Sequence, residues 1–307
     1  MKFTSLVIAT FILTFSSSWS KEGAETNVPP NPFGDVGEIE EIPDYAMEVD
    51  RTRGTFTLDA KDGEYQPGSH FGNWYWKLNV DRSGTYDVGL LYSSSRPKLG
   101  VQVKIGESNT LKSYAARTNE LGEKKPLILG SAYLEKKGEY PVMLLTGDQS
   151  NADPFEVKGI HFTPAPESDA IGQSIDGTIN LEAKSATTYA ENMRYEPKEE
   201  KNCLGFWNDE NDWAEWIFEV TAPGKFNVTV HYGCGNGNEG SEVAVLVNDQ
   251  ILKFTVEDTG GFQNWKAVDL GTVDLGIAGE NKVAIVPQTK KAKGIMDIQQ
   301  VVLTPAE

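Results

Sequence analysis

The sequence predicts an all-β chain, two tandem jelly-roll sandwiches, and three observations carry that prediction. From Trp213 to Val220 and from Lys225 to Tyr232 the apolar residues fall at alternate positions, the period of a half-buried strand rather than a helix. Between them, Thr221-Ala222-Pro223-Gly224 sets a φ-locked residue before one that tolerates positive φ, so an antiparallel hairpin is expected. A diverged copy of strand, turn and strand runs from Asn73 to Val80, through Asp81-Arg82-Ser83-Gly84, and from Thr85 to Tyr92. Further short alternating runs, spaced by Gly, Asn and Asp clusters, complete the sandwich signature.

In chain order, Met1-Lys2 precedes an apolar run from Leu6 to Phe15, too short for a mature membrane span but right for a secretory segment. Residues 1–20 are therefore expected as a signal peptide cleaved after Ser20, and the location as extracellular or periplasmic. No later stretch is long and apolar enough to span a membrane. Residues 21–44, rich in Pro and acid, read as a linker. The first β-domain covers 45–164, residues 165–176 form a second linker, and the second domain covers 177–307. Thr178 to Lys184 parallels Thr55 to Lys61, Leu270 to Leu275 answers Leu129 to Leu134, and Val301 to Ala306 answers Gly159 to Ala165. With the strand–turn–strand unit these make four matched segments in one order, so the chain reads as one β-domain written twice.

The formal net charge of -17 argues against nucleic acid and anionic membranes as partners, because both select basic faces. Catalytic signatures are sparse. The three histidines, His70, His161 and His231, lack the spacing of a metal pair, and no nucleophile elbow, phosphate loop or dinucleotide fingerprint occurs. The expectation is a protein that is not an enzyme.

If successive strands reverse direction, the loops around Trp207, Asn236, Phe262 and Lys290 gather at one end of the second sandwich, where a rigid scaffold presents binding residues. Trp207 and Phe262 lie in Gly- and Asn-rich loops, either packing those loops or stacking on the C–H face of a sugar whose hydroxyls bond amides such as Asn208 and Asn264. Lys290, Lys291 and Lys293 are either a solvated charge run or contacts for uronate or sulfate groups. Asn208-Asp209-Glu210-Asn211-Asp212 is dense in hard oxygen donors and reads as a solvated acidic turn or a metal loop. The same parity brings Cys203 and Cys234 to one end, as a disulfide or as two small buried residues. Trp213 and Trp216 have opposite parity, so one of them faces outward or toward an edge.

The order Leu181-Glu182-Ala183, Leu204-Gly205-Phe206, Asp212-Trp213-Ala214-Glu215-Trp216, Pro223-Gly224-Lys225-Phe226, Gly260-Gly261-Phe262-Gln263-Asn264-Trp265 and Met296-Asp297-Ile298 resembles the galactose-binding-like β-sandwich modules. Within these it is similar to carbohydrate-binding modules of families 6 and 35, and more so to the domain appended to secreted α-L-fucosidases and sulfatases. The resemblance implies a glycan or polysaccharide ligand, sugar stacking at Phe262, and an extracellular glycosidase or sulfatase as partner. It also implies a structural calcium site, for which Glu182 and Asp297 match and Lys184 stands in place of the second acid. No other cofactor is expected. The resulting expectation is a secreted, non-catalytic glycan-binding protein, weak in affinity, of acidic or sulfated polysaccharide; the alternative is an extracellular structural or protein-interaction module without a sugar ligand.

Overall fold

The computed structural model describes residues 44–45, 47–67, 72–118, 125–147, 155–168 and 170–306. The expected signal peptide, linker residues 21–43 and His70 lie outside the described residues. The first nine strands are β1 (Phe56–Asp59), β2 (Glu64–Pro67), β3 (Gly72–Val80), β4 (Gly84–Ser94), β5 (Lys98–Ile105), β6 (Asn109–Ala116), β7 (Lys125–Leu134), β8 (Gly138–Thr146) and β9 (Phe155–Ala165). They form the sheets β1-β9-β4-β7 and β2-β3-β8-β5-β6 around a core that includes Trp76, Leu90, Val103, Leu144 and Ile160.

Then follow β10 (Ile171–Gly172), β11 (Ile179–Glu182), β12 (Thr187–Tyr189), β13 (Arg194–Glu196), β14 (Cys203–Gly205), β15 (Trp213–Val220) and β16 (Gly224–Cys234). The last five are β17 (Glu242–Val247), β18 (Gln250–Thr255), β19 (Gly261–Leu275), β20 (Gly279–Pro287) and β21 (Asp297–Pro305). One sheet runs β10-β15-β20-β17-β18 with β12 on β15, the other β13-β14-β21-β16-β19 with β11 on β21. Their inward positions bury Trp216, Phe218, Phe226, Val228, Val245, Ile285 and Leu303. The pairings β3·β8, β5·β8, β5·β6, β4·β9, β4·β7 and β1·β9 recur as β15·β20, β17·β20, β17·β18, β16·β21, β16·β19 and β11·β21. The molecule is thus all-β and built of sandwiches, as its alternation predicts.

The expected hairpins are not hairpins. β15 pairs with β20 and β16 with β21 and β19, so the turn at Thr221–Gly224 carries the chain over the core from one sheet to the other; β3 and β4 do the same. Alternation reveals the buried face of a strand, and two strands facing one core from opposite sides show the same alternation as a paired couple. Direction still reverses at each arch, so the deduction about loop ends is unaffected. In the expected linker, Ile171–Gly172 pairs in parallel with Phe218 and Glu219, and the Gln173 side-chain carbonyl accepts from the amides of Thr221 and Ala222.

Tyr45 and residues 47–53, expected at the start of the first domain, lie instead across the outer face of the β15 sheet. Tyr45, Met47 and Val49 pack with Tyr189, Trp213, Leu246 and Ala284 in a third apolar cluster. Trp213, of opposite parity to Trp216, does point outward, yet it is 2% exposed because this strap covers it and accepts its indole N–H at the Asp50 carbonyl, 2.9 Å away. Below the strap the Tyr45 hydroxyl and the Arg51 guanidinium both donate to the buried Glu215 carboxylate at 3.0 Å. Arg82, on the turn between β3 and β4, donates to the carbonyls of Thr188 and Ala190, so residues 42–307 form one unit.

Candidate functional site

The four loops that strand reversal assigns to one end do meet. The Ile295 amide donates to the Trp207 carbonyl at 2.8 Å, the Gly294 amide to Asn238 Oδ1 at 2.9 Å, and Asn236 to Asp258 at 3.0 Å. The backbone of β19 adds a further link through its ladder with β16. Tyr232 of β16 faces Lys266, but Cys234 faces Gly261, so residues 262–265 bulge out of the ladder. The bulge sets the Phe262 ring into the space above Gly235 and Gly294, where a Cβ would come within 2.8 Å and 3.3 Å of the ring carbons. It also brings Gln263 to the end of β21.

These segments enclose a cleft of about 360 Å³ lined by Phe206, Trp207, Asn208, Phe262, Gln263 and Met296, with Glu196, Lys201, Gly294 and Asp297. Phe206 is the exposed ring of the set, at 45%, and the Arg194 guanidinium lies 3.5 Å from its centroid. Its backbone takes a φ of +59°, unusual for a residue with a side chain, and this twist sends Phe206 to the surface and Trp207 inward. At the base, Gln263 donates to Asp297 at 2.9 Å, and the Cys203 thiol lies 3.7 Å from the same oxygen. Lys201 closes a 2.7 Å ion pair with Glu196.

Burial, and after it the Glu196 charge, pushes Asp297 up to about 7. Burial likewise raises the Cys203 thiol, and the hydrogen bond to Glu196 raises the Lys201 ammonium. Asp297 therefore holds its proton in the fold at pH values where the unfolded chain, near 3.8, has released it. The folded state binds the extra proton, so this group's contribution to stability is full below that value and is lost as pH rises toward about 7. Denaturant midpoints measured from pH 4 to pH 8 should fall for the natural chain relative to Asp297→Asn, which lacks the titration. Parallel curves would show that Asp297 is ordinary.

Of the residues expected from sequence, Phe262 and Asn208 line the cleft. Trp207 contributes only a wall: it is 2% exposed, in the core, with its indole N–H on the Asp212 carbonyl at 2.9 Å, so it offers no free face for stacking. Asn264 turns its amide back to the Thr259 carbonyl. Lys290 and Lys291 line a neighbouring polar cleft with Asn208, Asp209 and Glu210, and Lys293 is exposed beside it. Phe206, Arg194, Glu196, Lys201 and Gln263 were not among the expected site residues, and no spacing rule marks them.

Cys203 and Cys234 are free and buried, not bridged. β21 runs between their strands, which puts them two strand spacings apart, about 9–10 Å, beyond disulfide reach. Glu182 and Asp297, the two acids of the calcium expectation, are not side by side: Glu182 is opposite Gln300 and bonded to Lys184 at 2.8 Å, while Asp297 is opposite Gly233, three residues along β21. The acidic turn is solvated at Asn208, Glu210 and Asn211, which are exposed, while Arg53 of the strap binds the buried Asp212 at 2.7 Å and the half-buried Asp209 at 2.8 Å.

A sandwich with a loop-rim cleft is the class these observations define. The model of a domain of unknown function (DUF5077) matches residues 185–307. No curated protein matches the sequence significantly. Similar solved structures include the C-terminal CBM6 of LamC from Zobellia galactanivorans, at 21% identity and TM-score 0.34, covering 41% of this chain and 98% of that one. A family 35 carbohydrate binding module from Clostridium thermocellum has 17% identity and TM-score 0.35, covering 42% and 98%. A Paenibacillus xanthan lyase aligns over 93% of this chain at 15% identity and TM-score 0.33, and the chain spans 27% of that enzyme. The fold assignment rests on the sheet pairings above.

Proposed function

We propose that the rim cleft binds a sugar residue of an extracellular glycan without catalysis. The observation that carries this reading is the cleft itself: two partly exposed rings, Phe206 and Phe262, beside the amides of Gln263 and Asn208 and the Glu196–Lys201 pair. Apolar rings take the C–H face of a pyranose, and the polar groups take its hydroxyls. Asn208 lines both this cleft and the one holding Lys290 and Lys291, so a chain extending past it meets cations suited to uronate or sulfate groups. Export through the apolar N-terminal segment, and a glycosidase or sulfatase acting on the same polymer, belong to the same proposal.

Two stacking contacts of about 1 kcal/mol each with solvent-competed hydrogen bonds give dissociation constants of about 0.1–1 mM. Affinity electrophoresis through neutral, uronate and sulfated polysaccharides, at low and moderate salt, is the test. Phe262→Ala and Phe206→Asn should each weaken binding about five- to tenfold, since Asn tolerates the left-handed backbone while removing the ring. A chain retarded by no polysaccharide, or one indifferent to both substitutions, removes the proposal.

A further inference from the structure

Arg53 lies far from the cleft in sequence and outside its walls, yet it is bonded to both ends of the structure that carries them. Its Nε donates to Asp212 Oδ1 at 2.7 Å and its Nη2 to Asp209 Oδ2 at 2.8 Å, with Glu191 at 3.5 Å from Nη1. Asp212 is 0% exposed and also accepts the backbone amides of Glu191, Asn192 and Met193 at 3.0, 3.3 and 3.2 Å. Those amides lead directly into Arg194, which lies against Phe206; the Asp212 carbonyl holds the Trp207 indole; and Asp209 begins the turn after Asn208. One guanidinium therefore sits behind two lining residues, Trp207 and Asn208, and behind Arg194, which lies against a third, Phe206.

We infer that Arg53 is a positioning residue for the cleft: the strap that precedes the first sandwich supplies the cation that fixes the binding loop of the second. Like charges at Asp209, Glu210 and Asp212 repel, and the structure sets against Asp209 and Asp212 one guanidinium from 156 and 159 residues away. The segment matched by the family model, 185–307, does not contain it. The site is thus a property of the two-sandwich chain, and a change in the strap reaches the cleft without touching a ligand. The biological meaning of the inference rests on the glycan reading, but its test does not.

Hydrogen exchange in the full chain, with no sugar present, decides it. The probes are the amides of Glu191, Asn192 and Met193 and the Trp207 indole N–H, assigned by loss of its signal in Trp207→Phe; Val228 and Val230 in the core report global opening. Arg53→Ala should speed exchange at the first group at least tenfold and leave Val228 and Val230 as they are, and Arg53→Lys should restore part of the protection. Unchanged exchange at the loop overturns the inference. So does equal acceleration at Val228 and Val230, which would make Arg53 a general stabiliser. A protein that binds no polysaccharide would sink the proposed function and leave this result standing.

Discussion

Replacing Asp212 with alanine is expected to cost the fold about 3–5 kcal/mol, because the change strands a buried cation and several donors together. The Arg53 side chain is 14% exposed, and with Asp212 gone it keeps only Asp209, 31% exposed, and Glu191, 65% exposed. Three backbone amides at 191–193 lose their acceptor as well, and that of the buried Met193 is the one that burial penalises most when unpaired. Asp212→Asn should fall between the natural chain and the alanine variant, since one amide oxygen still accepts while the charge is lost. Urea unfolding with an unchanged slope and a lowered midpoint is the expected observation. A loss below about 1 kcal/mol would mean that water replaces the carboxylate, and that the network is more open than its distances indicate.

The same network shows where sequence reasoning stopped. An acidic turn at 208–212 is visible in the sequence and demands positive charge or solvent; the choice of an arginine depends on a strap read as belonging to the other domain. Long-range partners of this kind leave no local pattern. Alternation, in contrast, is local: it marked the main strands of both sandwiches and the opposite parity of Trp213 and Trp216, though not which of the two faces inward. It could not distribute consecutive strands between sheets, so Thr221–Gly224 reads as a hairpin turn although it is an arch.

Within the site, what was legible depended on whether backbone geometry stayed ordinary. Phe262 was recognisable as an aromatic without a core face in a Gly-rich loop, and it does line the cleft. Trp207 looked the same by that criterion, but the positive φ at Phe206 exchanges the two rings, and nothing in Gly-Phe-Trp-Asn announces which of them turns out. Cys203 and Cys234 were correctly sent to one end of the sandwich; the intervening β21 could not be inferred from parity, which fixes ends and not neighbours.

Gly233→Ala should both destabilise the chain and abolish retardation by polysaccharide. Gly233 faces the point where β19 leaves register with β16, and a Cβ there would collide with the Phe262 carbonyl oxygen and lie 2.7 Å from its carbon and 3.2 Å from the Gly261 oxygen. All three are backbone atoms, so no side chain rotates away; the bulge itself has to lift off β16. Overpacking of this kind costs about 1–3 kcal/mol. The geometric consequence is larger than the energetic one, because lifting residues 262–265 withdraws the Phe262 ring from Gly235 and Gly294 and draws Gln263 away from Asp297. Gly224→Ala is the control: nothing lies within 4 Å of its added methyl group, and stability should stay within about 0.5 kcal/mol. If Gly233→Ala folds and binds as the natural chain does, the cleft does not depend on the bulge, and the wall that Phe262 and Gln263 form is not the binding surface.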